Sequence, residues 1–195
     1  MSTPDEPPRA SDVETETAPE TDARATEPVF EGVKFDVERR RVPTRDGGSA
    51  VRELVVHPGA VVVLPLLEDG RIVMIRNHRF AVDETLWELC AGTLEPGEDP
   101  ARTAARELVE ETGYEAAHIA PLTMFYTTPG ICTERMYAFV ATGLEEVGQQ
   151  LEATEQIEVE VVSRDDVMAM AASGEIRDGK TLATLLFWGA FRAPE

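Results

Sequence analysis

Carboxylates crowd into one short stretch of this sequence, positions 92 to 114, which reads GTLEPGEDPARTAARELVEETGY. Its glutamates stand at 95, 98, 107, 110 and 111. Like charges at i,i+4 weaken a helix, so the cluster is either a solvated surface or a place that holds a cation. Glu107, Glu110 and Glu111 have the spacing that puts three side chains on one helix face. Carboxylate oxygens suit a hard divalent cation such as Mg²⁺ or Mn²⁺.

A helix is needed to position these glutamates, and the residues around them predict one. Asp99 is a good N-cap and Pro100 suits the first turn, while Gly113 can end the helix in the left-handed conformation. Small apolar residues repeat between these limits, at 101, 104, 105 and 108. The pattern predicts a helix that packs closely on a sheet and turns its glutamates to another side.

Strands are predicted on both sides of this helix from their apolar and alternating runs. They span 33–42, 49–57, 60–67, 71–80 and 86–92 before it, and 121–128, 134–143 and 157–163 after it. Turns at 46–48 and 68–70 join the first four strands into two hairpins. Helices over about 164–172 and 179–192 close the chain. The order predicts an α+β domain with a mixed sheet, a central helix and two terminal helices.

Composition limits the class of protein. The chain has 195 residues, of which 43% are hydrophobic, and this is enough for one folded domain. Its first 27 residues hold eight acidic and two basic side chains and almost nothing apolar, so we expect a disordered acidic tail over 1–28 and one domain over 29–195. The net charge of −19 disfavours nucleic-acid partners.

Two further features concern the location of the chain. No apolar run is long enough to span a membrane, and the acidic leader lacks the apolar segment of a secretory signal. The two cysteines, Cys90 and Cys132, have no metal-ligand spacing. We therefore expect a reduced, cytoplasmic setting and no membrane partner.

The spacing within the acidic stretch matches a known motif. From Gly92, five residues lead to Glu98, and seven more lead to the pair Arg106-Glu107. The run that follows is Leu-Val-Glu-Glu-Thr-Gly-Tyr. This resembles the Nudix box, Gly-x5-Glu-x7-Arg-Glu-(apolar)-x-Glu-Glu-x-Gly-(apolar), at every specified position. The resemblance implies a Nudix-type α/β/α sandwich with a mixed sheet and a small N-terminal antiparallel sheet. It also implies metal-dependent hydrolysis of a nucleoside diphosphate linked to another moiety.

Segments outside the box are similar to ADP-ribose pyrophosphatases, over about residues 30 to 191. They read VERRRV, HPGAVVVLP, WELCAG and TTPGICTE, and Cys90 replaces the proline usual in the third. The resemblance implies hydrolysis of ADP-ribose to AMP and ribose 5-phosphate. Two alternatives stay open: the same chemistry on GDP-mannose or UDP-glucose, or a non-catalytic ADP-ribose-binding sensor. An acidic interaction protein acting through its tail has only the tail in its favour.

Site residues follow from the resemblance by position. Metal ligands would be the Ala91 carbonyl, Glu107, Glu110, Glu111 and Glu155, with Mg²⁺ or Mn²⁺ as the cofactor. Catalytic residues would be Arg106, Glu107, Glu111 and Glu155. The alternative for the box glutamates alone is a solvated acidic helix face.

Substrate contacts are implied in the same way. Arg52 and Arg79 resemble arginines that contact the substrate, the first by reaching across a homodimer built from residues 29–57. The loop that lies along the ribose side of the substrate would contain Thr128, Pro129, Gly130 and Glu134. Phe30 and Phe35 are candidates to stack on the adenine, with a core position as the alternative. An arginine on a strand is otherwise most often a surface residue.

The segment expected to carry the general base departs from the subfamily pattern. The subfamily usually carries an acidic cluster just before the strand that starts at Ile157, and this chain has Leu-Glu-Ala-Thr-Glu-Gln over 151–156. Ala153 falls where a catalytic acid often sits. Glu155 is the first candidate for the role and Glu152 the second. A solvated loop glutamate, with the water activated inside the box, is the alternative.

Overall fold

The computed structural model describes residues 26–151 and 156–191, which form ten strands and three α-helices. Strands β1 to β7 span Thr26–Phe30, Asp36–Pro43, Ser49–Val56, Ala60–Pro65, Ile72–Arg79, Glu84–Glu88 and Ala91–Thr93. Strands β8 to β10 span Tyr114–Tyr126, Arg135–Glu146 and Ile157–Val162. Helices α1, α2 and α3 span Pro100–Glu107, Arg164–Ser173 and Gly179–Phe191, and a π-helical turn at Leu108–Thr112 follows α1 directly. The α+β class predicted from the sequence is confirmed.

Three sheets organise these strands. An N-terminal antiparallel sheet has the order β1-β2-β3; its β2–β3 pair was predicted, and β1 was not. A mixed four-stranded sheet has the order β7-β4-β9-β8, in which only β4 and β9 are parallel. An antiparallel sheet of order β10-β5-β6 forms the third. The single mixed sheet of the prediction is thus two sheets.

The predicted hairpin of β4 and β5 is wrong in detail. The two strands lie in different sheets, and the turn between them has one isolated bridge, from Leu66 just after β4 to Ile72. β4 is wholly buried, and β5 is buried over its apolar first half, residues 72–75. A run that is apolar on both faces does not reveal its hydrogen-bonding partner, so the sequence pattern could not separate them.

Helices cover two sides of the sheets. Along β4, Val62 and Leu64 belong to the core cluster that includes Leu185 and Trp188 of α3. Val61 and Val63 belong to a second cluster, with Ala104 of α1. Successive side chains of a strand point to opposite faces, so β4 is the central layer between α1 and the terminal helices. This is the α/β/α sandwich.

Several element boundaries differ from those predicted. β1 begins at Thr26, inside the predicted tail of 1–28; it pairs with β2 but is exposed throughout, so it has no apolar pattern. The rest of that tail lies outside the described residues. β8 begins at Tyr114 rather than at 121, because it pairs with β9 along its whole length although its first half is mostly exposed. The predicted strand 86–92 is two strands, and these pair in different sheets.

The central helix departs most from expectation at its C-terminal end. Asp99 caps the start as predicted and accepts a hydrogen bond of 2.9 Å from the Ala101 amide. The π-helical turn then replaces the predicted last α-helical turn, and Gly113 ends it with a left-handed φ of 73°. Single π turns inside helices are often found at functional sites.

Among the described residues, no helix has both the length and the apolar character needed to cross a membrane.

Candidate active site

Glu107 lies against strand β7 at the end of α1. Its side chain is buried, with a residue exposure of 8%. Gly92 of β7 faces it so closely that a Cβ atom at position 92 would overlap the Glu107 carboxylate. The glycine is therefore required by close approach, since any side chain there would displace the carboxylate.

Glu111 lies against the same strand from the π-helical turn. It is also buried, at 3% exposure, and its Oε2 accepts a hydrogen bond of 2.8 Å from the Ala91 amide. Its backbone carbonyl accepts a second bond, of 2.7 Å, from the Gln149 side chain. Both buried glutamates of the helix thus meet β7 at adjacent residues, Ala91 and Gly92.

Arg106 holds the outer glutamates of this group. Its guanidinium donates to Glu107 at 2.8 Å, to Glu110 at 3.0 Å and to Glu98 at 3.1 Å. These bonds, the one to Glu98 first, raise the pKa of Arg106, while the bond from Arg106 lowers the pKa of Glu98. The pairing of Glu98 with Arg106 ties the loop before the helix to the helix itself.

The common face predicted for three glutamates is only partly present. The Glu110 side chain is one-third exposed and bonds Arg106, whereas Glu111 is buried and bonds Ala91. The π-helical turn is the reason, because it changes the rotation between successive residues after Glu107. We name Glu98, Glu107, Glu110, Glu111 and Arg106 the box cluster.

The box cluster has more negative than positive charge, and this matches a cation-binding role. Burial raises the pKa of the Cys90 thiol well above its usual range, and the charges of Glu111 and Glu107 raise it further. A negative potential of this kind, with carboxylate oxygens as donors, fits a divalent ion. Among the described residues, however, no three acidic, histidine or cysteine side chains converge as a complete metal site. Glu152 and Glu155, the predicted further ligand and base, lie outside the described residues.

A cavity of about 570 Å³ borders β7 and contains several predicted substrate residues. Arg79, Ala91, Thr128 and Glu134 line it. The Thr127 hydroxyl donates a hydrogen bond to Glu134, which fixes that carboxylate at the end of the loop. The structure thus brings together residues from β5, β7 and the loop before β9.

A second group of charges borders this cavity, and Arg79 is the one member of it that was predicted. Arg79 donates two hydrogen bonds, of 2.8 and 2.6 Å, to Glu88, which is fully buried. Lys180 donates to the same carboxylate at 2.5 Å and pairs with Asp178 at 2.9 Å. We name Arg79, Glu88, Asp178 and Lys180 the helix-α3 cluster. A sequence signal existed for one member: Glu88 interrupts an otherwise apolar run between Trp87 and Leu89.

A smaller cavity of about 490 Å³ opens toward the N-terminal sheet. It is lined by Lys34, Phe35, Arg106 and Glu107 among others, and Thr93 borders both cavities. Phe35 is 44% exposed and Phe30 is 54% exposed. Both are therefore surface residues, and the alternative of a core position is wrong for them.

Three predicted substrate residues lie apart from these cavities. Arg52 is on the exposed part of β3, where it donates to the Val51 carbonyl at 2.9 Å. Among the described residues, Arg52, Pro129 and Gly130 line neither of the two cavities. Within a single chain, the geometry does not join them to the box cluster.

Comparison with protein families decides the assignment. The model of the NUDIX domain matches residues 56–185, which includes β4 to β10 and α1. The chain belongs to the NUDIX family. The family generally uses divalent metal ions, in agreement with the charge of the box cluster.

Relatives of the NUDIX chain cover most of its length. An ADP-ribose pyrophosphatase of Bacillus subtilis (strain 168) is 40% identical over 159 residues, which are 80% of this chain and 86% of the relative. A methanol dehydrogenase activator of Bacillus methanolicus is 36% identical over 166 residues, 83% of this chain and 89% of the relative. The crystal structure of an ADP compounds hydrolase superposes with a TM-score of 0.75 at 22% identity, covering 87% and 95% of the two chains. The last similarity supports the fold alone.

Proposed function

We propose that this NUDIX protein hydrolyses ADP-ribose to AMP and ribose 5-phosphate with a divalent metal ion, Mg²⁺ or Mn²⁺. The observation that carries the proposal is the contact of Glu107 and Glu111 with adjacent residues of β7, beside a cavity that Arg79 lines. The similarity to an ADP-ribose pyrophosphatase over most of both chains supports the choice of substrate.

The metal would be held by the buried side of the box cluster. Glu107, Glu111 and the Ala91 carbonyl are the proposed ligands, with Glu110 in support and Glu155 as a further ligand. When bound, the ion neutralises charge on the pyrophosphate and lowers the pKa of a coordinated water. The fit rests on the excess of carboxylates over cations in the box cluster and on their burial.

Arg106 and Gly92 position these ligands. Arg106 bonds Glu107 and Glu110 together with Glu98, and thereby restricts the rotamers of all three. Gly92 leaves the space that the Glu107 carboxylate fills. Preorganised charge of this kind needs no rearrangement when the substrate arrives.

The cavity beside β7 would bind the nucleoside diphosphate sugar. Its volume of about 570 Å³ lies within the usual range for small-molecule sites. Arg79 presents a guanidinium for phosphoryl oxygens, and Thr128 and Glu134 offer hydrogen-bonding groups for a ribose. Pro129 and Gly130 shape the same loop in this proposal.

Hydrolysis requires one proton transfer from water. The water oxygen bonds to one phosphorus, the bridging P–O bond breaks, and the leaving phosphate departs as an anion. A carboxylate takes the proton of the attacking water. Glu155 is the proposed base, with Glu152 and the box glutamates as the alternatives.

A homodimer is part of the proposal. The N-terminal sheet and its β1–β2 loop expose apolar side chains at Val29, Phe30, Val33, Phe35 and Val51, and exposed apolar patches often mark interfaces. Arg52, on the same sheet, would then reach the partner's site. Sedimentation should show a dimer at micromolar protein, and an active monomer would contradict this part.

We also propose a reducing, cytoplasmic location, supported by the two free cysteines.

A substrate screen with two variants tests the function. Purified protein is offered ADP-ribose, GDP-mannose and UDP-glucose with Mg²⁺ and with Mn²⁺, and Glu155→Gln and Glu152→Gln are run beside it. We expect ADP-ribose to give the highest kcat/KM, and Glu155→Gln to lose at least about 100-fold in kcat with binding retained. A higher kcat/KM for another sugar nucleotide would make that compound the substrate in place of ADP-ribose. Binding of ADP-ribose without turnover would favour the non-catalytic sensor.

A further inference from the structure

The helix-α3 cluster places two cations on one fully buried carboxylate at the wall of the cavity. Glu88 accepts two bonds from Arg79 and one from Lys180. Asp178, just before α3, supplies the second negative charge through its contact with Lys180. The cluster is thus balanced internally, and its cations do not depend on a ligand for charge compensation.

Lys180 has bonding capacity left toward the cavity. An ammonium group has three N–H donors, and the contacts to Glu88 and Asp178 use two of them. Among the described residues the third N–H has no partner. The Lys180 side chain is 13% exposed and lines the cavity together with Arg79.

Attachment of α3 to the sheet does not require Lys180. The Thr181 hydroxyl accepts a hydrogen bond of 2.9 Å from the Leu89 amide, and the Thr181 amide donates to Asp178 at 2.9 Å. Leu185 and Trp188 of the same helix are buried in the core. Glu88 would also keep its two bonds from Arg79 without Lys180. Anchoring of α3 therefore does not depend on Lys180, whose ammonium group lines the cavity with Arg79.

We propose that Lys180 is a further substrate-binding residue, which donates its third N–H to a phosphoryl oxygen of the substrate beside Arg79. The inference rests on the proposed function and adds a contact to the same cavity. Lysine suits this task because it acts as a compact positive charge for phosphate.

Lys180→Met tests this proposal, with Lys180→Arg as the conservative variant and Arg177→Met as the matched control. Arg177 lies three residues upstream, is exposed, and pairs with Glu84 outside the cavity. KM and kcat are measured with ADP-ribose, and Kd with α,β-methylene ADP-ribose, which cannot be hydrolysed at the pyrophosphate. Thermal unfolding of each variant reports its folding.

We expect Lys180→Met to raise both KM and Kd by about 10- to 100-fold, which is the usual effect of losing one charged hydrogen bond. The fall in kcat should be smaller. Lys180→Arg should recover much of the affinity, and Arg177→Met should stay within about 2-fold of wild type. If Lys180→Met does not fold, Lys180→Gln takes its place, because an amide can still donate to Glu88.

Two results would overturn the proposal. One is an unchanged KM and Kd in a folded Lys180→Met protein. The other is an affinity loss that Lys180→Arg does not recover and that accompanies an equal loss of thermal stability, which would indicate a structural role. Wild-type protein that neither binds nor hydrolyses ADP-ribose would instead reject the proposed function, and this inference with it.

Discussion

Two charged clusters border β7 and its cavity, and they differ in net charge. In the box cluster, Arg106 donates hydrogen bonds to three glutamates. The fourth glutamate, Glu111, is buried and accepts a hydrogen bond from a backbone amide. In the helix-α3 cluster, two cations are matched by Glu88 and Asp178. The first has an excess of negative charge and the second is neutral.

The difference shows how a very acidic chain could bind an anionic substrate. Four carboxylates grouped with one arginine favour a metal ion, because the ion offsets their mutual repulsion. The balanced cluster keeps Arg79 and Lys180 charged and fixed at the cavity wall. Cys90 feels both clusters: burial chiefly raises the pKa of its thiol, Glu111 and Glu107 raise it further, and Lys180 lowers it.

Removing one buried charge of the box cluster should have the largest effect. We expect Glu111→Gln to lower kcat by at least about 100-fold, because the amide keeps the shape but weakens metal binding. Steady-state kinetics with added Mg²⁺ measures this, and EDTA should abolish the wild-type activity. Glu115→Gln, on the exposed part of β8, is the control. A Glu111→Gln enzyme near wild-type activity would show that the box cluster does not hold the metal.

Neutralising the centre of the helix-α3 cluster should mainly affect stability. Glu88→Gln leaves Arg79 and Lys180 without their common anion. We expect a loss of about 2 kcal/mol in the free energy of unfolding, below the cost of breaking a fully buried pair because the Arg79 side chain is 40% exposed. Urea denaturation measures the change.

Glu84→Gln removes the exposed partner of Arg177 and serves as the comparison for Glu88→Gln. It should cost well under 1 kcal/mol, as exposed ion pairs usually do, about 0–1 kcal/mol. Equal losses in the two variants would mean that the burial of Glu88 does not matter energetically.

The smallest effect is expected in the pH dependence of stability, through Asp178 of the helix-α3 cluster. Burial acts to raise the pKa of Asp178, but the charge of Lys180 and the hydrogen bonds from Thr181 outweigh it, so the pKa is lowered. A carboxyl with a lowered pKa in the folded state contributes stability above its unfolded pKa, and this contribution is lost as the pH falls through the folded value.

We therefore expect wild-type stability to fall below about pH 4, and Asp178→Asn to lose less over that interval. Urea midpoints at several pH values measure it. Asp165→Asn, an exposed aspartate of α2, should retain the wild-type slope. An identical slope in Asp178→Asn would remove Asp178 from the charge balance.

Local sequence patterns predicted the box region well. Asp99 as the N-cap and Gly113 as the left-handed end of the helical segment are properties of neighbouring residues, and both are confirmed. The π-helical turn was missed because no residue type specifies it; the contact between Glu111 and the Ala91 amide is formed only on the packed sheet. The overlap that excludes a side chain at Gly92 is likewise a tertiary contact.

By itself, the sequence determined the family through the spacing of the box and the α+β order of elements. Only the tertiary structure decided that β4 and β5 part into two sheets, since strands that are apolar on both faces do not encode a partner. It also decided the helix-α3 cluster, because Glu88 and Lys180 are 92 residues apart. Charged residues so far apart in sequence come into contact only when α3 packs on the sheet. Local periodicity in the sequence does not predict such a contact.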